Sequence, residues 1–172
     1  MNARCKRTAR MIYLYNPHMI SNSVSETIQV AKDLVASVLP KIEQGPVIIM
    51  LQGDYGTGKT QFVKGLAEAL GIKQNVVSPS FVYMRNYPFQ IGQSRGQLVH
   101  IDAWRVSQAS DFKLLGVEQY LQPSYIIAIE WPQEYAQSLL DTLKATDVSY
   151  QLVTVSLNEL EGDRREITVG GL

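Results

Sequence analysis

VIIMLQGDYGTGKTQFVKGLAEALG, residues 47–71, carries three signals in succession. Val47–Leu51 is a continuous apolar, β-branched run, the pattern of a strand buried on both faces of a parallel sheet. From Lys59 onward, Phe62, Val63, Leu66, Ala69 and Leu70 recur at helical period, and Gly71 is placed to cap the helix. Between them Gly53, Gly58, Lys59 and Thr60 complete the pattern G-x-x-x-x-G-K-[ST]. That pattern arises by chance roughly once in two hundred chains of this length. Here it also sits between strand and helix, the context that confirms it.

Each residue type in the loop has a physical reason. Backbone N–H groups can wrap a triphosphate only where glycines allow close approach and left-handed turns, and Gly56 adds freedom inside the loop. Lys59 sets a positive charge against the β- and γ-phosphates, and the Thr60 hydroxyl suits Mg²⁺. The first turn of the helix adds its dipole. Asp54, Tyr55, Gly56, Thr57, Gly58, Lys59, Thr60 and Gln61 form the expected nucleotide-contacting set.

The rest of the chain fits one α/β domain: three layers, with a mixed, mostly parallel sheet flanked by helices. Residues 19–39 read as a short strand or loop and then a helix, with Ser23 and Glu26 at capping-box spacing. Residues 81–89 and 97–104 read as an antiparallel pair around the turn-rich QIGQSRG. Residues 111–121 read as a short helix, 125–131 as a buried strand, and 133–143 as a helix carrying Tyr135 and Leu139. Two alternating strands close the chain around NELEGDR, residues 158–164.

Sixteen basic residues balance sixteen acidic ones among 172, so no global field draws the chain to nucleic acid or membrane. Cys5 is the sole cysteine, which excludes an intrachain disulfide and suits a reducing, cytoplasmic compartment. No apolar run approaches a membrane span. Residues 1–18 are set apart as a basic, flexible extension from the phosphate-loop domain, 19–172. The extension reads as a frayed tail, or as an upstream start with Met11 or Met19 as the true first residue; a basic arm touching RNA is the rarer reading.

Carboxylates at strand ends complete a phosphate-loop site. Asp102 ends the apolar stretch LVHI and Glu130 ends IIAI, so both read as metal-side or water-positioning acids. Ser78 and Ser80 bracket Pro79 in a loop that is either a polar turn or a switch sensing the γ-phosphate. His100 reads as a satisfied structural histidine rather than a catalyst. Trp104 and Trp131 read as core or interface residues. No arginine finger stands out, although Arg85 and Arg105 lie near the carboxylates in sequence.

In order, GDYGTGKT, SPSF, HIDAWR, LGVEQYL and IEWP resemble the TsaE (YjeE) family, whose pattern is G-D-x-G-x-G-K-T, S-P-T-F, H-x-D-x-Y-R, L-G-x-x-E-Y-L and E-W-P. The resemblance spans roughly Ser25 to Pro132. Ser80 replaces the usual Thr and keeps its hydroxyl; Trp104 replaces Tyr and loses the phenolic oxygen. Glu118 and Gln119 are shifted against the family's Glu-Tyr. The resemblance implies an ATPase that drives or resets a TsaB–TsaD complex making threonylcarbamoyladenosine beside the tRNA anticodon, with tRNA reached through that complex. By position, Thr60 and Glu130 would hold Mg²⁺, and Asp102 would position water or the switch loop. Thr27, and Arg165 or its neighbour Arg164, would lie near the adenine. With Lys59, Asp102 and Glu130 as the catalytic set, hydrolysis by the chain alone is expected to be slow and to rise with partners. A phosphate-loop small-molecule kinase and a non-catalytic nucleotide switch are the alternatives. The lack of an arginine between Glu130 and Arg164 argues against a kinase lid, and the two acids argue against a pure switch.

Overall fold

The Val47–Leu51 run becomes the middle strand of a seven-stranded sheet in the computed structural model, which describes residues 18–106, 115–131, 136–145 and 148–171. The strands are β1 (His18–Ser21), β2 (Val47–Gln52), β3 (Met84–Ile91), β4 (Ser94–Asp102), β5 (Tyr125–Glu130), β6 (Gln151–Glu159) and β7 (Arg165–Gly171). Their order is β1-β7-β6-β2-β5-β4-β3. The central four, β6-β2-β5-β4, are parallel, and the three outer pairings are antiparallel.

Among the described residues three α-helices cover the sheet: α1 (Val24–Val38), α2 (Lys59–Ala69) and α3 (Ala136–Ala145). Val30, Leu34, Phe62 and Leu66 of α1 and α2 pack with Val47, Ile49 and Leu51 on one face. Leu139 and Leu143 of α3 pack with Ile48, Met50, Ile127 and Ile129 on the other. Successive β2 residues therefore feed opposite cores, which is why the run had to be apolar throughout. The expected three-layer α/β domain is what forms.

Local signals hold at the helix ends. Ser23 Oγ accepts the Glu26 N–H, while Glu26 reaches back to the Asn22 N–H, one residue ahead of the usual box. Gly71, at φ +70°, follows α2: its N–H donates to Glu68 O and that of Ile72 to Ala67 O, a Schellman closure.

Elsewhere the boundaries shift. The β3–β4 hairpin turns on Gly92 and Gln93 alone, so most of the expected loop is strand. This pair lies at the sheet edge with much of β3 exposed, so its polar residues suit solvent-facing strand as well as loop. Phe81–Tyr83, expected as strand, instead form a turn in which the Val82 and Tyr83 N–H groups both donate to Pro79 O. Of the short helix expected over 111–121, the last part is a 3-10 turn, Val117–Tyr120, and 107–114 lie outside the described residues. Residues 1–17 of the basic extension and Tyr135 also lie outside them, while His18 opens β1.

Candidate functional site

Gln52 ends β2 and the chain turns through Gly53–Gly58 into α2. Gly53 shows why this loop needs glycine. Its φ is +139°, and a Cβ there would stand 2.2 Å from Leu157 O of β6. Gly56 and Gly58 are also left-handed, at +81° and +104°. Gly58 is the N-cap of α2 and offers no side-chain cap, so the first-turn amides are left for an anion. Thr57 is buried and donates to Asp54 O at 3.0 Å, bracing the loop from beneath.

Lys59 is only 4% exposed. Its ammonium donates to Gly53 O at 2.8 Å and Asp54 O at 2.6 Å, and stands 3.6 Å from the centre of the Trp131 ring. Burial pushes it below the usual lysine range, against the opposing pull of Glu130, Asp102 and Asp54. Trp131 gains this position because its backbone leaves β5 at φ +61°, while its N–H donates to Leu51 O. A bulky residue in that conformation costs on the order of 1–3 kcal/mol, the kind of strain that collects at functional sites. Trp104 packs on Trp131 with ring centres 4.6 Å apart.

Strand register supplies the acids. β4 and β5 run parallel with Asp102 opposite Glu130, and alternation puts His100, Asp102 and Glu130 on the face that α2 covers. Thr60 Oγ1 donates to Glu130 at 3.0 Å and 3.3 Å, to Oε1 and Oε2. His100 Nε2 lies 2.8 Å from Glu130 Oε1. Asp102 Oδ2 accepts from Ser78 Oγ at 2.6 Å and Ser80 Oγ at 2.5 Å, and its Oδ1 accepts the Trp104 N–H at 3.1 Å.

These groups enclose a cleft of about 350 Å³, lined by Tyr55, Gly56, Gly58, Lys59, Thr60, Gln61, Ser78, Ser80, Asp102, Trp104, Glu130 and Trp131. Lys59 is the one cation among the described residues that line it. The residues fit a nucleotide triphosphate and its magnesium. Left-handed glycines and a bare helix start suit phosphate, and a hydroxyl beside carboxylates is the hard oxygen set that Mg²⁺ takes.

Lys59, Thr60, Ser78, Ser80, Asp102 and Glu130, all named from the sequence and drawn from four separate segments, line this one cleft. Thr27 and Arg165 are not among the cleft-lining residues, yet they converge on one place. Ser21 hydrogen-bonds Thr27 Oγ1 at 2.9 Å and pairs in register with Arg165. Arg165 itself bonds Gly162 O and Arg164 O. Arg105 stacks over Phe81, 4.8 Å away, and Arg85 sits exposed on β3.

Two further residues reach the site's charged groups, His100 at Glu130 and Trp131 at Lys59. His100 is buried, but one partner is Glu130 and its Nδ1 has none among the described residues. Its spacing two before Asp102 on one strand was the available signal. From sequence Trp131 is a core or interface residue; its positive φ, which aims the ring at Lys59, leaves no trace there.

Comparison with known proteins gives the family and the fold. The model of the family described as "Threonylcarbamoyl adenosine biosynthesis protein TsaE" matches residues 21–167. The tRNA threonylcarbamoyladenosine biosynthesis protein TsaE of Treponema pallidum is 35% identical over 128 residues, 74% of this chain and 84% of the relative. The TsaE protein of Streptomyces coelicolor is 32% identical over 135 residues, 78% and 86% of the two chains. The crystal structure of Bacillus subtilis YdiB shares the fold, with a TM-score of 0.61 at 23% identity over 96% of this chain and 88% of that one. With the phosphate loop, both strand-end acids and the serine loop in place, the chain belongs to the TsaE family of threonylcarbamoyl adenosine biosynthesis proteins.

Proposed function

We propose that this chain is a Mg²⁺-dependent ATPase of the cytoplasm, and that hydrolysis drives or resets a TsaB–TsaD-like complex during threonylcarbamoyladenosine modification of tRNA next to the anticodon. The observation that carries the reading is the Thr60–Glu130 contact beside Lys59, a hydroxyl and a carboxylate joined across 70 residues at the mouth of a phosphate loop.

Phosphoryl transfer to water is largely a matter of positioning and charge. The loop amides and α2 N-terminus hold the phosphates, and Lys59 turns its ammonium to the β- and γ-oxygens. Thr60 and Glu130 would hold Mg²⁺, which would neutralise charge on the phosphate oxygens. Asp102 fixes the loop through Ser78 and Ser80, a loop that lines the same cleft. In the proposed reaction that loop would sense the γ-phosphate and Asp102 would help position water. Trp131 and Trp104 roof the site and limit solvent. Lys59 supplies the cleft's cationic charge without a described arginine, so a partner that brings positive charge would raise a slow basal rate, as arginine fingers do.

The test is ATP turnover by the chain alone and with a TsaB–TsaD pair, for wild type and Lys59→Ala. A low basal rate that partners raise at least tenfold, and that Lys59→Ala abolishes, supports the reading. A partner-independent rate, or phosphate delivered to a nucleoside instead of water, would overturn it.

A further inference from the structure

Buried at 0% exposure, His100 hydrogen-bonds the acid that Thr60 also holds, and it faces no solvent. Its Nε2 and Thr60 Oγ1 converge on the same oxygen, Glu130 Oε1, at 2.8 Å and 3.0 Å. Glu130 is itself 3% exposed, so neither contact is a casual surface one. Nδ1 of His100 is buried with no hydrogen-bond partner among the described residues. A proton there would be stranded, and Glu130 needs a donor, so the hydrogen-bond pattern puts the ring proton on Nε2.

A competitor for Glu130 stands close by. Lys59 lines the same cleft, and the charges of the two groups act on each other. An ammonium paired with this carboxylate would remove both from their tasks. In the structure they are kept on separate partners: Lys59 on the Gly53 and Asp54 carbonyls, Glu130 on Thr60 and His100.

We infer that His100 is a positioning residue for magnesium: its Nε2–H clamps Glu130 Oε1 so that the carboxylate stays at Thr60 and does not turn to the Lys59 ammonium. The inference rests on the ATPase reading and adds a part to it. It belongs to the class of outer partners that orient metal-side carboxylates, whose loss typically costs 10–100-fold in metal affinity.

The experiment compares His100→Gln with His100→Asn. A glutamine amide nitrogen reaches the place of Nε2, whereas that of asparagine reaches only the place of Nδ1. Affinity for ADP and a non-hydrolysable ATP analogue is read from tryptophan fluorescence, in Mg²⁺ and in EDTA. The ratio of the two dissociation constants measures magnesium coupling apart from turnover. His100→Asn is expected to cut that ratio about tenfold while leaving the EDTA value unchanged, and His100→Gln to keep it near wild type. Equal ratios in both variants, whether retained or lost, overturn the inference. Should neither variant fold, ¹⁵N-histidine spectra of the wild type decide: a protonated Nε2 and a bare Nδ1 are expected, and the reverse tautomer overturns it. A wild type that shows no magnesium coupling at all would instead remove the ATPase reading beneath.

Discussion

Asp102 and Glu130 stand opposite each other on neighbouring parallel strands, equally buried at 3% exposure, yet they belong to different parts of the machine. Glu130 is tied to the helix-and-sheet half: Thr60 of the phosphate-loop helix and His100 of the sheet. Asp102 is tied to the loop half: Ser78, Ser80 and the Trp104 N–H. Two carboxylates at one height of one sheet thus meet different neighbours. In the proposed ATPase the metal-side task would fall to Glu130, while Asp102 fastens the Ser78–Ser80 loop.

Removing the loop's anchor gives the largest expected contrast. Hydrogen bonds to a charged group are worth about 1.5–3 kcal/mol, so Asp102→Asn should speed hydrogen exchange at the Ser80, Val82 and Tyr83 amides about ten- to a hundredfold. Glu130→Gln should leave those amides unchanged, and equal acceleration in both variants would erase the distinction. Ser80→Ala is milder, because Ser78 still holds Asp102 Oδ2. Loss of one bond at about 1.5 kcal/mol, the lower end of that range, predicts roughly tenfold faster exchange in the same segment. No change would mean that the Ser80 contact contributes nothing.

The smallest effect concerns what both acids do for Lys59. Burial lowers its affinity for a proton in the folded state, so the unfolded chain binds more protons in the interval just below the ordinary lysine value of 10.5. Wild-type stability measured against Lys59→Met should therefore rise with pH through that interval. A fall would mean that Glu130 and Asp102 outweigh desolvation.

The two halves also differ in how far the sequence reveals them. The phosphate loop is local: strand, glycines, lysine, threonine and Gly71 stop lie within 25 consecutive residues and each carries its own signal. The acids can be recognised one at a time, as carboxylates ending apolar runs. Their partners cannot, because Asp102 meets Ser78 only through the turn at Pro79, and Glu130 meets His100 only through β4–β5 register. The Phe81–Tyr83 segment has strand-forming residues, but the Pro79 carbonyl captures its amides and tertiary context overrides propensity. Trp131 depends on a positive φ that no side chain announces. The Gly92–Gln93 turn was blurred by polar residues that an exposed edge hairpin tolerates.

The most direct measurement is a Mg²⁺ titration of single-turnover ATP hydrolysis, with the partner pair present, for wild type, Glu130→Gln and Asp102→Asn. The division between the two acids predicts that Glu130→Gln raises the half-saturating Mg²⁺ concentration about tenfold or more. Asp102→Asn should slow hydrolysis with that concentration unchanged. A shifted Mg²⁺ requirement in Asp102→Asn together with an unshifted one in Glu130→Gln would contradict the division of labour drawn from their neighbours.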